Sequence, residues 1–128
     1  MTLHALIASI ALAAAGAAWA AGKHDGHTHD HTLKHGGVGV EVKDMDYELV
    51  ARATSIQLYL RDHGKGVDVS RARAKLTLLT GTERQEVELR PMGDRLEASG
   101  SFKVGPGTKA VAVVTVDGKA STARFTVK

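Results

Sequence analysis

The stretch Arg71-Ala-Arg-Ala-Lys-Leu-Thr-Leu78 decides the fold class, because every second residue in it is apolar. Its small and branched apolar residues alternate with charged residues and a threonine. A period of two places all the apolar side chains on one side of an extended chain. The stretch therefore predicts a β-strand with one buried face.

The same alternation recurs on both sides of this stretch, in residues 38–42, 47–51, 56–61, 87–90 and 123–127. Residues 110–116 are apolar on both faces, which predicts a strand in the centre of a sheet. No window of the chain has a convincing helical period. These patterns predict about seven to eight short strands and an all-β fold.

Turn residues separate the predicted strands. Asp117-Gly118 is a strong signal for a two-residue hairpin. The other predicted turns are Thr80-Gly81-Thr82, Pro91-Met92-Gly93-Asp94, Gly105-Pro106-Gly107 and residues 62–66. Short strands at this spacing predict an antiparallel β-sandwich over residues 38–128.

Composition limits the remaining possibilities. The 128 residues suffice for one domain, and 4% aromatic content implies a core of aliphatic side chains. The absence of cysteine excludes disulfides, thiolate metal sites and cysteine nucleophiles. A net charge of +3, carried by scattered basic residues, argues against a nucleic-acid partner.

The first 20 residues are predicted to be a signal peptide. Residues 5–21 are almost entirely apolar, and Ala18-Trp19-Ala20 is a small-x-small cleavage pattern. We expect an exported protein with no stable membrane anchor after cleavage. Cleavage after Ala20 fits the pattern better. Cleavage after Ala21 would leave His24 third from a free amine, an arrangement that binds copper(II) or nickel(II).

Residues 21–37 form a predicted flexible, histidine-rich tail, which contains five of the seven histidines. Neutral imidazole suits zinc, copper(II) and nickel, and nearby carboxylates can add oxygen ligands or orient the rings. The spacings of two, three and four residues allow a flexible chain to bring several rings to one divalent ion. The predicted metal ligands of the tail are His24, His27, His29, His31, His35, Asp25 and Asp30.

His63 is the only histidine of the predicted sandwich, and it follows Asp62 in a probable turn region. It is a further candidate ligand, although exposed polar residues are common in turns. No constellation of nucleophile, base and orienting group is apparent, so we predict no enzymatic activity.

The sequence also resembles the exported immunoglobulin-like proteins of the YtkA-like and copper-resistance classes. The resemblance is carried by Ser55-Ile-Gln-Leu-Tyr-Leu-Arg-Asp-His-Gly-Lys-Gly-Val67 and Ala74-Lys-Leu-Thr-Leu-Leu-Thr-Gly81. Similarity to small periplasmic proteins of heavy-metal efflux systems lies in His35-Gly-Gly-Val38, Tyr47-Glu-Leu-Val50 and the ending Val116-Asp-Gly-Lys-Ala120 to Arg124-Phe125. These resemblances imply an immunoglobulin-like β-sandwich and a periplasmic metal-handling context, without a defined site.

These observations favour periplasmic binding or buffering of copper(II), zinc or nickel, as an accessory to a metal efflux or resistance protein. The alternative is an immunoglobulin-like structural or interaction module with an incidental histidine-rich tail.

Overall fold

The structure is a computed structural model that describes residues 32–128. Within that range the chain forms strands joined by turns and loops, with no helix. The strands are β1 (Val38–Val42), β2 (Met45–Ala51), β3 (Ser55–Asp62), β4 (Lys65–Gly66), β5 (Ala72–Thr80), β6 (Glu83–Met92), β7 (Arg95–Ser99), β8 (Lys109–Val116) and β9 (Lys119–Thr126).

The strands form two antiparallel layers that share β6. Residues 83–89 of β6 pair with β5, whereas residues 90–92 pair with β7. One layer has the order β1-β2-β3-β7-β6, and the other has the order β6-β5-β8-β9. The neighbours β2-β3-β7-β6 and β5-β8-β9 correspond to the ABED and CFG sheets of an immunoglobulin fold. The predicted all-β sandwich is thus confirmed.

The core lies between the inner faces of the two layers. The alternation in residues 71–78 is confirmed, because Ala72, Ala74, Leu76 and Leu78 are buried. The predicted Asp117-Gly118 hairpin is confirmed too. It joins β8 to β9, and both turn residues have positive φ, as a type I′ turn requires. The largest fully buried apolar side chains are Leu49, Ile56, Leu58, Leu60, Leu76, Leu78, Leu89 and Leu96.

Two predicted turns are shorter than expected. Lys65 and Gly66 were assigned to a turn but form β4, since they pair with Asp62 and Arg61 of β3. Pro91 and Met92 were also assigned to a turn but complete β6. Pro91 is tolerated there because residues 90–92 pair with a neighbouring strand, β7, on one side only. The missing N–H of Pro91 therefore removes no hydrogen bond to a second strand.

Strand β8 is central, as predicted, with β5 on one side and β9 on the other. Its second apolar face is nevertheless not buried, and the Val113 side chain is 42% exposed. A two-layer sandwich covers one face of each sheet, so an apolar residue on the other face remains in contact with water.

Candidate metal-binding site

Most of the predicted metal ligands lie outside the described residues. This group consists of His24, Asp25, His27, His29, Asp30 and His31. His35 and His63 are the two predicted ligands that the structure describes. They lie on separate segments, His35 just before β1 and His63 in the turn after β3.

Glu48 joins the segment before β1 to the sheet. Its alternation with Tyr47 and Leu49 places it on the outer face of β2, yet the residue is only 2% exposed. Its Oε2 accepts the backbone N–H of His35 at 2.9 Å and that of Gly37 at 3.0 Å. Its Oε1 accepts the backbone N–H of Lys34 at 3.1 Å and lies 3.1 Å from Nδ1 of His35. These contacts match the four lone-pair directions of an ionised carboxylate.

The local sequence allows the backbone to wrap around this carboxylate. Gly36 has φ +74°, a left-handed conformation that lets the neighbouring N–H groups converge on one anion. At Gly37 an added Cβ would lie 2.2 Å from the carbonyl oxygen of Leu49. Both glycines are therefore required, one for the backbone turn and the other for close approach to β2.

The pKa of Glu48 lies below its ordinary value. Burial of the carboxyl by itself would raise the pKa, but the hydrogen bonds from Gly37, His35 and Lys34 outweigh that effect. Glu48 is thus a carboxylate at neutral pH. Since a carboxylate only accepts hydrogen bonds, the facing Nδ1 of His35 carries a proton.

The imidazole of His35 is fixed from two directions. Its ring stacks on Tyr59, with centroids 3.5 Å apart and an angle of 5° between the planes. Tyr59 is the cross-strand partner of Glu48, so both contacts come from one row of the sheet. The His35 side chain is still 33% exposed. In the neutral ring Nε2 carries a lone pair, and no hydrogen bond to Nε2 occurs within residues 32–128.

A second contact anchors the start of the described chain. Arg61, which is 6% exposed, donates from Nη2 to the carbonyl oxygen of Thr32. Its Nη1 is buried and has no hydrogen-bond partner among residues 32–128. Arg61 and Leu33 line a cavity of about 500 Å³ that also borders β1 and residues 124–126 of β9.

His63 has a different environment. Its Nδ1 contacts the Asp62 carboxylate, and both side chains are more than half exposed, at 61% and 58%. His63 also has a positive φ of 52°, consistent with its predicted position in a turn. The pair is therefore more exposed to solvent than the His35 side chain.

Among residues 32–128, no three histidine or acidic side chains converge into a group that could hold a metal ion. The same part of the chain has no helix long and apolar enough to cross a membrane.

Sequence reasoning did not identify Glu48, Tyr59 and Arg61 as site residues. All three lie on the outer faces of β2 and β3, where alternation indicates exposure to water. The sequence offered one weak signal. Glu48 lies between Tyr47 and Leu49, 13 positions after His35, and two glycines follow that histidine. The contact depends on a segment that folds back over the sheet, and periodicity does not report such a contact.

Comparisons with known proteins give little further information. The chain matches no protein-family model and no curated protein. It is similar to a solved structure described as a crystal structure of a Br derivative of BhCBM56, a carbohydrate-binding module, with 9% identity and a TM-score of 0.41. The alignment covers 70% of this chain and 99% of that one.

Proposed function

We propose that this protein is exported to the periplasm and binds divalent copper, zinc or nickel through its histidine-rich N-terminal segment. In this proposal it buffers or delivers the metal as an accessory to an efflux or resistance protein. The β-sandwich serves as the stable base from which the segment extends.

The observation that supports the proposal best is the environment of His35. Metal-binding histidines commonly donate one ring N–H to a carboxylate, which fixes the tautomer and directs the other nitrogen to the ion. His35 has this arrangement with Glu48, with Nδ1 and Oε1 separated by 3.1 Å. The His35 side chain is also 33% exposed, which leaves part of the ring accessible from solvent.

The chemistry of the segment supports the same proposal. His24, His27, His29 and His31 offer four imidazoles within eight residues, interspersed with two aspartates. Three or four nitrogen ligands satisfy a tetrahedral zinc site or a tetragonal copper(II) site. Ordering a segment around an ion costs entropy if the segment has the flexibility that its composition predicts, so we expect moderate affinity and competition among metals.

The test is calorimetric titration of the purified mature protein with copper(II), zinc and nickel. One variant replaces His24, His27, His29 and His31 with glutamine and leaves the docked residues 32–37 unchanged. The matched control is Lys23→Gln, which alters the same segment without removing an imidazole. We expect the control to bind like the parent, and the four-histidine variant to bind at least about tenfold more weakly.

Binding that survives in the four-histidine variant would overturn the role assigned to the segment. No binding by the parent protein would leave an immunoglobulin-like interaction module as the better account. Export is tested separately, by the mass of the protein recovered from the periplasm. We expect an N-terminus at residue 21 or 22, and an intact N-terminus would contradict the signal peptide.

A further inference from the structure

We propose that His35 is the fixed ligand through which the bound metal attaches to the folded domain, with Glu48 as its positioning residue. This inference rests on the proposed function and deepens it. Of the five histidines of the segment, His35 is the one whose surroundings the structure describes. The ligand chemistry is that of a divalent transition-metal ion that accepts imidazole nitrogen.

The first step concerns the protonation of the ring. The Glu48 carboxylate accepts hydrogen bonds from the backbone N–H groups of Lys34, His35 and Gly37. Its fourth contact is with Nδ1 of the His35 ring. A carboxylate in this position selects the neutral tautomer with hydrogen on Nδ1. The lone pair is then on Nε2, the nitrogen directed away from Glu48. When the ring is neutral, its Nε2 is therefore the nitrogen that can bind a metal.

The second step concerns orientation. The stack on Tyr59, at 3.5 Å between centroids, limits rotation of the imidazole about its Cβ–Cγ bond. The backbone of the same residue is tied to Glu48 by a bond of 2.9 Å. A ligand that is already oriented loses less conformational entropy on binding than one in a flexible chain. His35 should therefore bind a metal at a smaller entropy cost than an unrestrained histidine would.

The third step concerns reciprocal coupling. A metal on Nε2 withdraws electron density from the ring and makes the Nδ1 hydrogen a stronger donor to Glu48. Metal binding should therefore tighten the contact that holds residues 34–37 on β2, and the contact should equally favour metal binding. Loading the segment with metal would thus reinforce its attachment to the sandwich.

The experiment combines zinc titration with nitrogen NMR of the histidine rings in the full mature protein. We expect His35 to have hydrogen on Nδ1 before zinc is added, and its Nε2 signal to shift on zinc binding. His35→Gln and Glu48→Gln should each weaken zinc binding by about tenfold. The matched control is Glu88→Gln on β6, which alters a 67% exposed carboxylate away from His35 and should leave the affinity unchanged.

A purely structural role for Glu48 predicts a different result. In that case Glu48→Gln would lower stability but leave the tautomer of His35 and the zinc affinity unchanged, at a temperature where the variant is folded. That result, or unchanged affinity in His35→Gln, would overturn the inference while the segment still bound zinc. If Glu48→Gln does not fold, Tyr59→Leu provides the second variant, with the same expected loss of affinity. Failure of the parent protein to bind zinc would overturn the proposed function and this inference with it.

Discussion

Oε1 of Glu48 lies 3.1 Å from Nδ1 of His35, and this contact joins strand β2 to the segment that precedes β1. The residue that supplies the carboxylate is 2% exposed, whereas the imidazole side chain is 33% exposed. One partner is therefore part of the packed domain, and the other is partly exposed to solvent.

Replacing Glu48 with alanine should reduce the free energy of unfolding by about 2 kcal/mol. The variant leaves three partly buried backbone N–H groups of the docked segment without their acceptor, and the loss of several such hydrogen bonds is costly. The control is Glu88→Ala on β6, where the side chain is 67% exposed and pairs with Arg90. It should change the free energy of unfolding by less than about 0.5 kcal/mol. Urea denaturation measures both, and equal effects would contradict the role of Glu48.

Replacing Gly37 with alanine should release the docked segment. The new Cβ would lie 2.2 Å from the carbonyl oxygen of Leu49, so the backbone must move away from β2. We expect amide hydrogen exchange at Lys34 and His35 to accelerate by about tenfold or more. Gly66→Ala is the control, because its Cβ would meet nothing within 4 Å. Unchanged exchange in Gly37→Ala would show that the segment does not depend on this approach.

Replacing Leu76 with alanine should cost about 2–5 kcal/mol of unfolding free energy. The side chain is fully buried between the two layers, and its removal leaves a cavity. The comparison is Val113→Ala on β8, where the side chain is 42% exposed on the outer face. That substitution should cost less than about 1 kcal/mol, in line with strand propensity. A similar loss at both positions, measured by thermal denaturation, would contradict the assignment of the outer face.

Lowering the pH should remove the contribution of Glu97 to the free energy of unfolding. Its Oε1 accepts from Nε of Arg95 at 2.7 Å and from Nε2 of Gln57 at 2.8 Å, and these bonds hold its pKa below the ordinary value of 4.5. The unfolded chain therefore takes up this proton at a higher pH than the folded chain. The stabilisation is present above 4.5 and disappears as the pH falls through the lower folded pKa.

The measurement is the free energy of unfolding of the parent and of Glu97→Gln between neutral pH and about pH 3. The parent should have a higher free energy of unfolding than Glu97→Gln at neutral pH, and this difference should shrink as the pH falls below 4.5. Two curves that remain parallel throughout would show that Glu97 contributes no such dependence.

The sequence predicted the architecture because the core is periodic. Residues 71–78 and 56–61 alternate between apolar and polar types, and the structure buries the apolar members. Turn chemistry located the β8–β9 hairpin for a similarly local reason. The errors occurred where a local pattern is insufficient. Val113 is apolar but faces outward, and Pro91 continues β6 at a point where the strand pairs on one side only.

The candidate site was harder to predict, because its contacts join distant residues. His35 was identified as a ligand from composition, yet its partners are 13 and 24 positions away along the chain, at Glu48 and Tyr59. Glu48 alternates like a solvent-facing residue and is buried because the segment folds over it. Whether the histidines upstream of Thr32 share one ion stays a prediction, since they lie outside the described residues.

The most direct test of the central claim is X-ray absorption at the zinc edge of the mature protein after one equivalent of zinc has been added and free metal removed. The account predicts at least three imidazole nitrogens around zinc at about 2.0–2.1 Å. A shell of oxygen alone, or a protein that retains no zinc, would contradict the claim that this chain binds divalent metal through its histidines.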